Sequence, residues 1–131
     1  MRDAGRAPTA ELLAAARAWA ADDPDPATRA QLEALTDAAE AGDVDAGAEL
    51  GDAMSGLLEF GTAGLRGRLG AGPNRMNRAV VIRAAAGLTA YLRTLEREPF
   101  VVVGFDARTD SDVFARDTCA VVTGMGGRAV V

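Results

Sequence analysis

One glycine-rich segment organises this chain: Leu58-Glu-Phe-Gly-Thr-Ala-Gly-Leu-Arg-Gly-Arg-Leu-Gly-Ala-Gly-Pro-Asn-Arg-Met-Asn77. The segment contains five glycines and three arginines, and it has no acidic residue after Glu59. Glycine lacks a Cβ, so other groups can approach its backbone closely and its φ angle can be positive. Arginine presents forked cationic donors beside such exposed backbone N–H groups. The segment therefore predicts an anion-binding site, with a phosphate as the expected ligand.

The distribution of charge along the chain supports this interpretation. Residues 1–59 carry 13 acidic residues and 4 arginines, a net charge of −9. Residues 60–95 carry 6 arginines and no acidic residue, a net charge of +6, and residues 96–131 carry a net charge of −2. A positive region in a chain of isoelectric point about 4.7 favours a local site over the broad basic face that nucleic acids need. The alternative is a long loop that lacks acidic residues by chance.

The composition excludes several classes of site. The 131 residues are enough for one domain with a core. There is no histidine, which excludes Ser-His-Asp and Cys-His catalytic arrangements, and there is no lysine for a P-loop. The single cysteine, Cys119, cannot form an internal disulfide or a zinc site alone. Without a signal peptide or a long apolar run, we expect a cytoplasmic protein with no membrane partner.

The first 56 residues are predicted to form a helical extension. Each helix begins after a capping residue: Thr9 for a helix over about 10–21, Asp25 for one to about Ala41, and Asp43 for one to about Ser55. The acidic residues at these caps and turns are interpreted as solvated caps and not as a metal site: Asp22, Asp23, Asp25, Asp43 and Asp45.

The remaining residues, 57–131, alternate strand and helix. Strands are predicted over Leu57–Phe60, Pro99–Gly104 and Arg128–Val131. Between them, Asn77 can cap a helix over about 78–97, and Asp110 or Ser111 can cap a second helix to about Met125. The continuous apolar run after Pro99 is typical of a strand buried in a parallel sheet. We expect the helix over about 78–97 to pack on that sheet through residues spaced four and three apart: Val81, Ala85, Leu88, Leu92 and Leu95. The alternation predicts the α/β class with crossover connections.

Two or three parallel strands leave open sheet edges and half-covered helices. We therefore expect these residues to be the front of a longer protein. They could also need a partner, which would be the missing remainder or a second copy at the open edge.

Three motifs in this order resemble the N-terminal domain of the α-D-phosphohexomutases. They are Phe60-Gly-Thr-Ala-Gly-Leu-Arg-Gly67, then Gly70-Ala-Gly-Pro-Asn-Arg-Met-Asn77, then Gly104-Phe-Asp-Ala-Arg108 with Ser111-Asp-Val-Phe-Ala115. The phosphoglucomutase/phosphomannomutase branch with a helical N-terminal extension is the most similar. The resemblance implies an α/β/α domain I, and it covers residues 9–131.

The resemblance also implies a reaction. This family interconverts hexose 1-phosphate and hexose 6-phosphate through a hexose 1,6-bisphosphate. A phosphoserine gives its phosphate to the substrate and takes one back, and Mg²⁺ held by three aspartates assists. Such a transfer depends mostly on positioning and charge stabilisation, which agrees with an acid-free loop rich in arginine.

By resemblance, Arg66 would be catalytic and would approach the transferring phosphoryl group, with Thr62 beside it. Three glycines would shape this loop: Gly61, Gly64 and Gly67. Arg75 and Asn77 would face the cleft or would hold the loop structure, and we weigh these two roles equally. Asp106 and Arg108 match a turn of the family, and we favour a structural ion pair there over a site role.

The sequence also departs from the family pattern. A phosphoserine loop of the Thr-x-Ser-His-Asn-Pro type is absent, since the chain has no histidine, and so are the magnesium-binding aspartates. We expect an N-terminal fragment of a phosphohexomutase, with a helical extension over 1–56 and an incomplete domain I over 57–131. The isolated fragment should be inactive. The alternatives are a non-catalytic module that binds phosphate or sugar phosphate, and a gene remnant.

Overall fold

The computed structural model describes residues 6–131 and divides the chain into two compact units. The first unit extends to Asn77, and the second runs from Arg78 to Val131. The helical extension and the glycine-rich segment thus belong to the same unit. The predicted division between residues 56 and 57 stays a prediction, and the first five residues of that extension lie outside the described residues.

Three helices begin the first unit: α1 (Ala10–Asp22), α2 (Pro26–Glu40) and α3 (Val44–Ala53). Each N-cap side chain accepts a backbone N–H of the first turn, which satisfies a donor that the helix itself cannot pair. Thr9 accepts from Leu12, Asp25 from Ala27, and Asp43 from Ala46. The three predicted helices and their caps are therefore confirmed, with ends that differ by one or two residues.

The core of the first unit is built mainly from small side chains. The largest apolar residues in it are Leu32 and Leu50, both fully buried. The others are Ala71 of the glycine-rich segment and four alanines on the three helices: Ala16, Ala20, Ala39 and Ala46. Since Ala71 lies in this core, the glycine-rich segment packs against the helical extension.

The strand predicted over Leu57–Phe60 is wrong in its extent and its pairing. The structure has two strands of two residues each, β1 (Phe60–Gly61) and β2 (Gly64–Leu65), which pair antiparallel. Thr62 and Ala63 form the turn between them. Gly64 has a φ angle of +103°, a conformation that other residues adopt only with strain. The glycine after the turn thus makes a tight hairpin where a longer strand was expected.

The second unit contains α4 (Arg78–Leu95), β3 (Phe100–Val102), α5 (Ser111–Gly124) and β4 (Arg128–Val130). Strands β3 and β4 pair in parallel, with Val101 opposite Ala129. Helix α5 crosses over between them, and it packs on β4 and on α4. Parallel strands joined by a helix confirm the predicted α/β class. No helix among residues 6–131 is long and apolar enough to cross a membrane.

Two burial predictions for the second unit are wrong. Of the predicted stripe on α4 only Ala85 is buried, whereas Leu88 and Leu95 are exposed. The other buried residues of α4 include small side chains, Ala79 and Thr89, which let neighbouring groups approach closely. In β3, Phe100 and Val102 are exposed. Successive strand residues face opposite sides, so an uncovered face exposes every second residue.

Candidate phosphate-binding pocket

An open pocket of about 370 Å³ lies at the β1–β2 hairpin. It is lined by Glu59, Gly61, Thr62, Ala63, Gly64 and Arg66. Four of the residues predicted to form the site therefore lie together: Gly61, Thr62, Gly64 and Arg66. The pair Gly61–Gly64 closes the hairpin, and neither residue has a side chain that would fill the pocket. The hairpin thus brings a hydroxyl, a guanidinium and backbone groups to one small surface.

Arg66 is exposed and has donors available for a ligand. Among residues 6–131, no carboxylate lies within ion-pair distance of its guanidinium. An exposed guanidinium beside glycine backbone can bind a phosphate through two parallel N–H···O bonds. The exposed guanidinium of Arg66 is therefore compatible with binding an oxyanion such as phosphate.

Glu59 also lines the pocket, and the sequence did not single it out. It is the only acidic residue in the segment from 58 to 77, and it directly precedes the acid-free region. That position was the signal that could have identified it. A carboxylate in a pocket with an arginine can accept hydrogen bonds from the hydroxyl groups of a polar ligand.

Gly67 lies outside the pocket lining. A Cβ placed on this residue would lie 2.7 Å from both methyl carbons of Leu58, so Gly67 allows the Leu58 side chain to pack against the backbone. This contact gives Gly67 a packing role beside the pocket.

Arg75 is buried, with only 4% of its side chain exposed. Its guanidinium donates to Glu49 at 2.9 Å and to Asp52 at 2.7 Å, both on α3, and to the Asn74 carbonyl oxygen at 3.0 Å. The hydrogen bonds from Arg75 to Glu49 and Asp52 raise the pKa of the guanidinium, although burial opposes this. These contacts support the loop-structure role of Arg75 over the cleft-facing one.

Asn77 is also buried, with 2% of the residue exposed. Its side-chain amide donates to the carbonyl oxygens of Gly70 and Gly72, both at 2.8 Å. These bonds close the loop from 70 to 77 on itself. The geometry again supports the role in loop structure.

Asp106 and Arg108 lie in the second unit. Their side chains form an ion pair at 3.0 Å, and one Asp106 oxygen accepts the Arg108 backbone N–H and the Ser111 hydroxyl, each at 3.0 Å. The backbone N–H of Arg108 and the hydroxyl of Ser111 lower the pKa of Asp106 below its ordinary value. These contacts fix the turn before α5, although both side chains remain exposed.

No group of three or more acidic, cysteine or histidine side chains could hold a metal ion in the part of the chain that the structure describes. The described residues therefore do not fit a magnesium site.

A family model described as phosphoglucomutase/phosphomannomutase, alpha/beta/alpha domain I, matches residues 57–131, more than half of the chain. The chain belongs to this family. The resemblance to phosphohexomutases is thereby confirmed. The match includes the whole hairpin pocket, the loop from 70 to 77 and the turn at Asp106.

Individual relatives agree with the family match. A probable phosphomannomutase of Haemophilus influenzae is 50% identical over 54 residues, which cover 41% of this chain and 11% of that protein. A phosphoglucomutase of Staphylococcus haemolyticus is 42% identical over 69 residues, 53% of this chain and 13% of the relative. A phosphoribomutase of Saccharomyces cerevisiae is 47% identical over 73 residues, 55% of this chain and 12% of the relative. No solved structure matches the chain.

The matched region spans about an eighth of the length of these relatives. The activity of a whole phosphohexomutase is therefore a proposal for this chain, and so are its substrates and partners. The roles of the individual site residues also stay predictions.

Proposed function

We propose that this chain supplies the first, phosphate-facing part of a phosphohexomutase. In this proposal the complete enzyme interconverts hexose 1-phosphate and hexose 6-phosphate in the cytoplasm. It acts through a phosphoserine and a hexose 1,6-bisphosphate, with Mg²⁺ bound outside residues 6–131. The observation that carries the proposal is the hairpin pocket, where Arg66 stands exposed beside Thr62 and two glycines within a region that matches the family.

Each pocket group has a proposed role in phosphoryl transfer. Arg66 donates to the non-bridging oxygens of the phosphoryl group and stabilises the charge that they carry in the transition state. The Thr62 hydroxyl donates to the same group. Gly61 and Gly64 leave room for the phosphate to approach the backbone, and Gly67 keeps the hairpin packed. Arg75, Asn77 and the Asp106–Arg108 pair hold loops in place.

The relatives are named for three different sugars. Because this region matches all three, we place the choice of sugar outside it. The 131 residues should then bind the phosphate end of a sugar phosphate and should not turn it over alone. The family match does not favour the non-catalytic module or the gene remnant.

The proposal is tested by titrating the ¹⁵N-labelled chain with glucose 6-phosphate and following its amide signals. We expect the signals of residues 61–66 to shift and the Arg66→Ala variant to bind at least tenfold more weakly, about 1.4 kcal/mol. Arg97→Ala is the control, since it removes the same charge from an exposed position outside the pocket. Equal losses in both variants, or no shift at 61–66 in the parent chain, would contradict the proposal.

A further inference from the structure

The pocket residues are anchored at both ends to one loop. This support loop comprises residues 70–77. The backbone N–H of Leu58 donates to the Pro73 carbonyl oxygen at 3.0 Å, and the Met76 N–H donates to the Arg68 carbonyl oxygen at 2.7 Å. Leu58 and Arg68 flank the pocket-lining residues on either side. Any displacement of the support loop therefore moves both ends of the pocket.

The support loop in turn rests on the C-terminal half of α3. The Asn74 N–H donates to the Ala53 carbonyl oxygen at 3.0 Å, and the Asn74 side-chain amide donates to the Asp52 carbonyl oxygen at 3.0 Å. Gly72 lies so close that a Cβ there would be 2.7 Å from the Ala53 carbonyl oxygen. These contacts fix the position of the loop on this helix.

Two carboxylates of α3 join this arrangement through Arg75. Glu49 and Asp52 are three residues apart, so they share one face of the helix, and both accept hydrogen bonds from the Arg75 guanidinium. Glu49 also lies 3.7 Å from the guanidinium of Arg68. One carboxylate therefore contacts an arginine of the support loop and an arginine at the edge of the pocket.

We propose that Glu49 and Asp52 are positioning residues for the phosphate pocket and act through Arg75. This inference rests on the proposed function. A guanidinium that is only 4% exposed needs charged partners, because a buried unpaired charge is strongly unfavourable. Without the two carboxylates Arg75 moves toward water and takes the support loop with it, and the pocket loses its shape. In this proposal, helix α3 contributes to the phosphate site by holding the support loop in place.

The sign of the effect separates positioning from simple electrostatics. Neutralising an acidic residue near an anion site should by charge alone strengthen anion binding. Positioning predicts the opposite. We expect Glu49→Gln/Asp52→Asn to bind glucose 6-phosphate at least fivefold more weakly, in a chain whose α1 and α2 amide signals are unchanged. The control Asp45→Asn lies on the same helix and should leave the affinity unchanged or slightly higher.

A second measurement needs no ligand. In the free Glu49→Gln/Asp52→Asn variant, the amide signals of residues 59–66 should shift, although none of these residues is substituted. If those signals keep their parent positions, or if the affinity is unchanged or higher in the folded variant, the inference is overturned. If the double variant fails to fold, Asp52→Asn alone is measured, with the same two readouts and a smaller expected loss. Failure of the parent chain to bind glucose 6-phosphate would count against the proposed function, whereas the ligand-free shifts test the positioning separately.

Discussion

Arg66 and Arg75 lie nine residues apart in the same glycine-rich segment, yet the fold uses them in opposite ways. Arg66 is exposed in the hairpin pocket, and no carboxylate within residues 6–131 pairs with it. Arg75 is buried and bound to two carboxylates of α3. Both contribute equally to the positive charge of the segment. Net charge along a sequence therefore does not tell which arginine is exposed and which is buried.

Two glycines of the same segment, Gly64 and Gly72, also differ in how closely they are packed. Gly64 and Gly72 have φ angles of +103° and +104°. A Cβ at Gly64 would meet nothing within 4 Å, whereas one at Gly72 would meet the Ala53 carbonyl oxygen at 2.7 Å. Gly64 thus has open space at its Cβ position, whereas Gly72 is tightly packed against α3.

The largest expected effect compares these two glycines. Gly72→Ala should lower the free energy of unfolding of the first unit by about 3 kcal/mol, because it adds backbone strain and a clash with Ala53. Gly64→Ala adds only the strain and should cost about 1 kcal/mol. Urea unfolding followed by Trp19 fluorescence measures both. Equal losses would contradict the proposed difference in packing between Gly64 and Gly72.

The next comparison uses the arginines themselves. Arg75→Ala should lower the free energy of unfolding by about 2 kcal/mol, since it removes charged hydrogen bonds at a buried position. Arg66→Ala should change it by less than about 0.5 kcal/mol, as is usual for exposed residues. Urea unfolding followed by Trp19 fluorescence measures the free energy of unfolding of both variants. A large loss in Arg66→Ala would mean that Arg66 holds the fold together.

A third prediction extends the comparison to the second unit. Asp117 accepts two hydrogen bonds from Arg78, at 2.7 and 2.9 Å, and its side chain is 13% exposed. Asp117→Ala should therefore cost about 1.5 kcal/mol. The exposed i,i+4 pair of Asp112 with Arg116 provides the control, and Asp112→Ala should cost about 0.5 kcal/mol or less. Hydrogen exchange of the α5 amides reports on both variants.

The smallest effect concerns the pH dependence of Asp106. Since its pKa is lowered in the folded chain, its contribution to stability is present above the unfolded pKa, about 3.9, and is lost as pH falls through the folded pKa. A carboxyl ¹³C titration should show a midpoint below that of an unfolded aspartate. Ser111→Ala should raise this midpoint only partly, because the Arg108 N–H bond remains. An unchanged midpoint in that variant would exclude a contribution from Ser111.

The parts that the sequence could predict are those that depend on neighbouring residues. Thr9, Asp25 and Asp43 cap helices through bonds to residues two or three positions away, so local chemistry was enough. Four residues that line the hairpin pocket, Gly61, Thr62, Gly64 and Arg66, also follow from the sequence motif, and their role as a site stays a prediction. The strands β1 and β2 could not be predicted, because they are only two residues long and depend on Gly64.

The parts that could not be predicted depend on distant partners. The contacts of Arg75 lie 23 and 26 residues upstream, and no local pattern distinguishes a buried arginine from a ligand-facing one. On α4 the spacing of large apolar residues indicated one face, whereas burial also selected small residues such as Ala79 and Thr89. Which face a helix buries depends on the neighbour, and periodicity alone does not specify it.

The most direct test of this account follows the side-chain Nε–H signals of Arg66 and Arg75 during one titration with inorganic phosphate. We expect the Arg66 signal to shift progressively and to saturate, while the Arg75 signal keeps its position because Glu49 and Asp52 hold its guanidinium. A shift at Arg75 with none at Arg66 would contradict the assignment of one arginine to the ligand and the other to the loop.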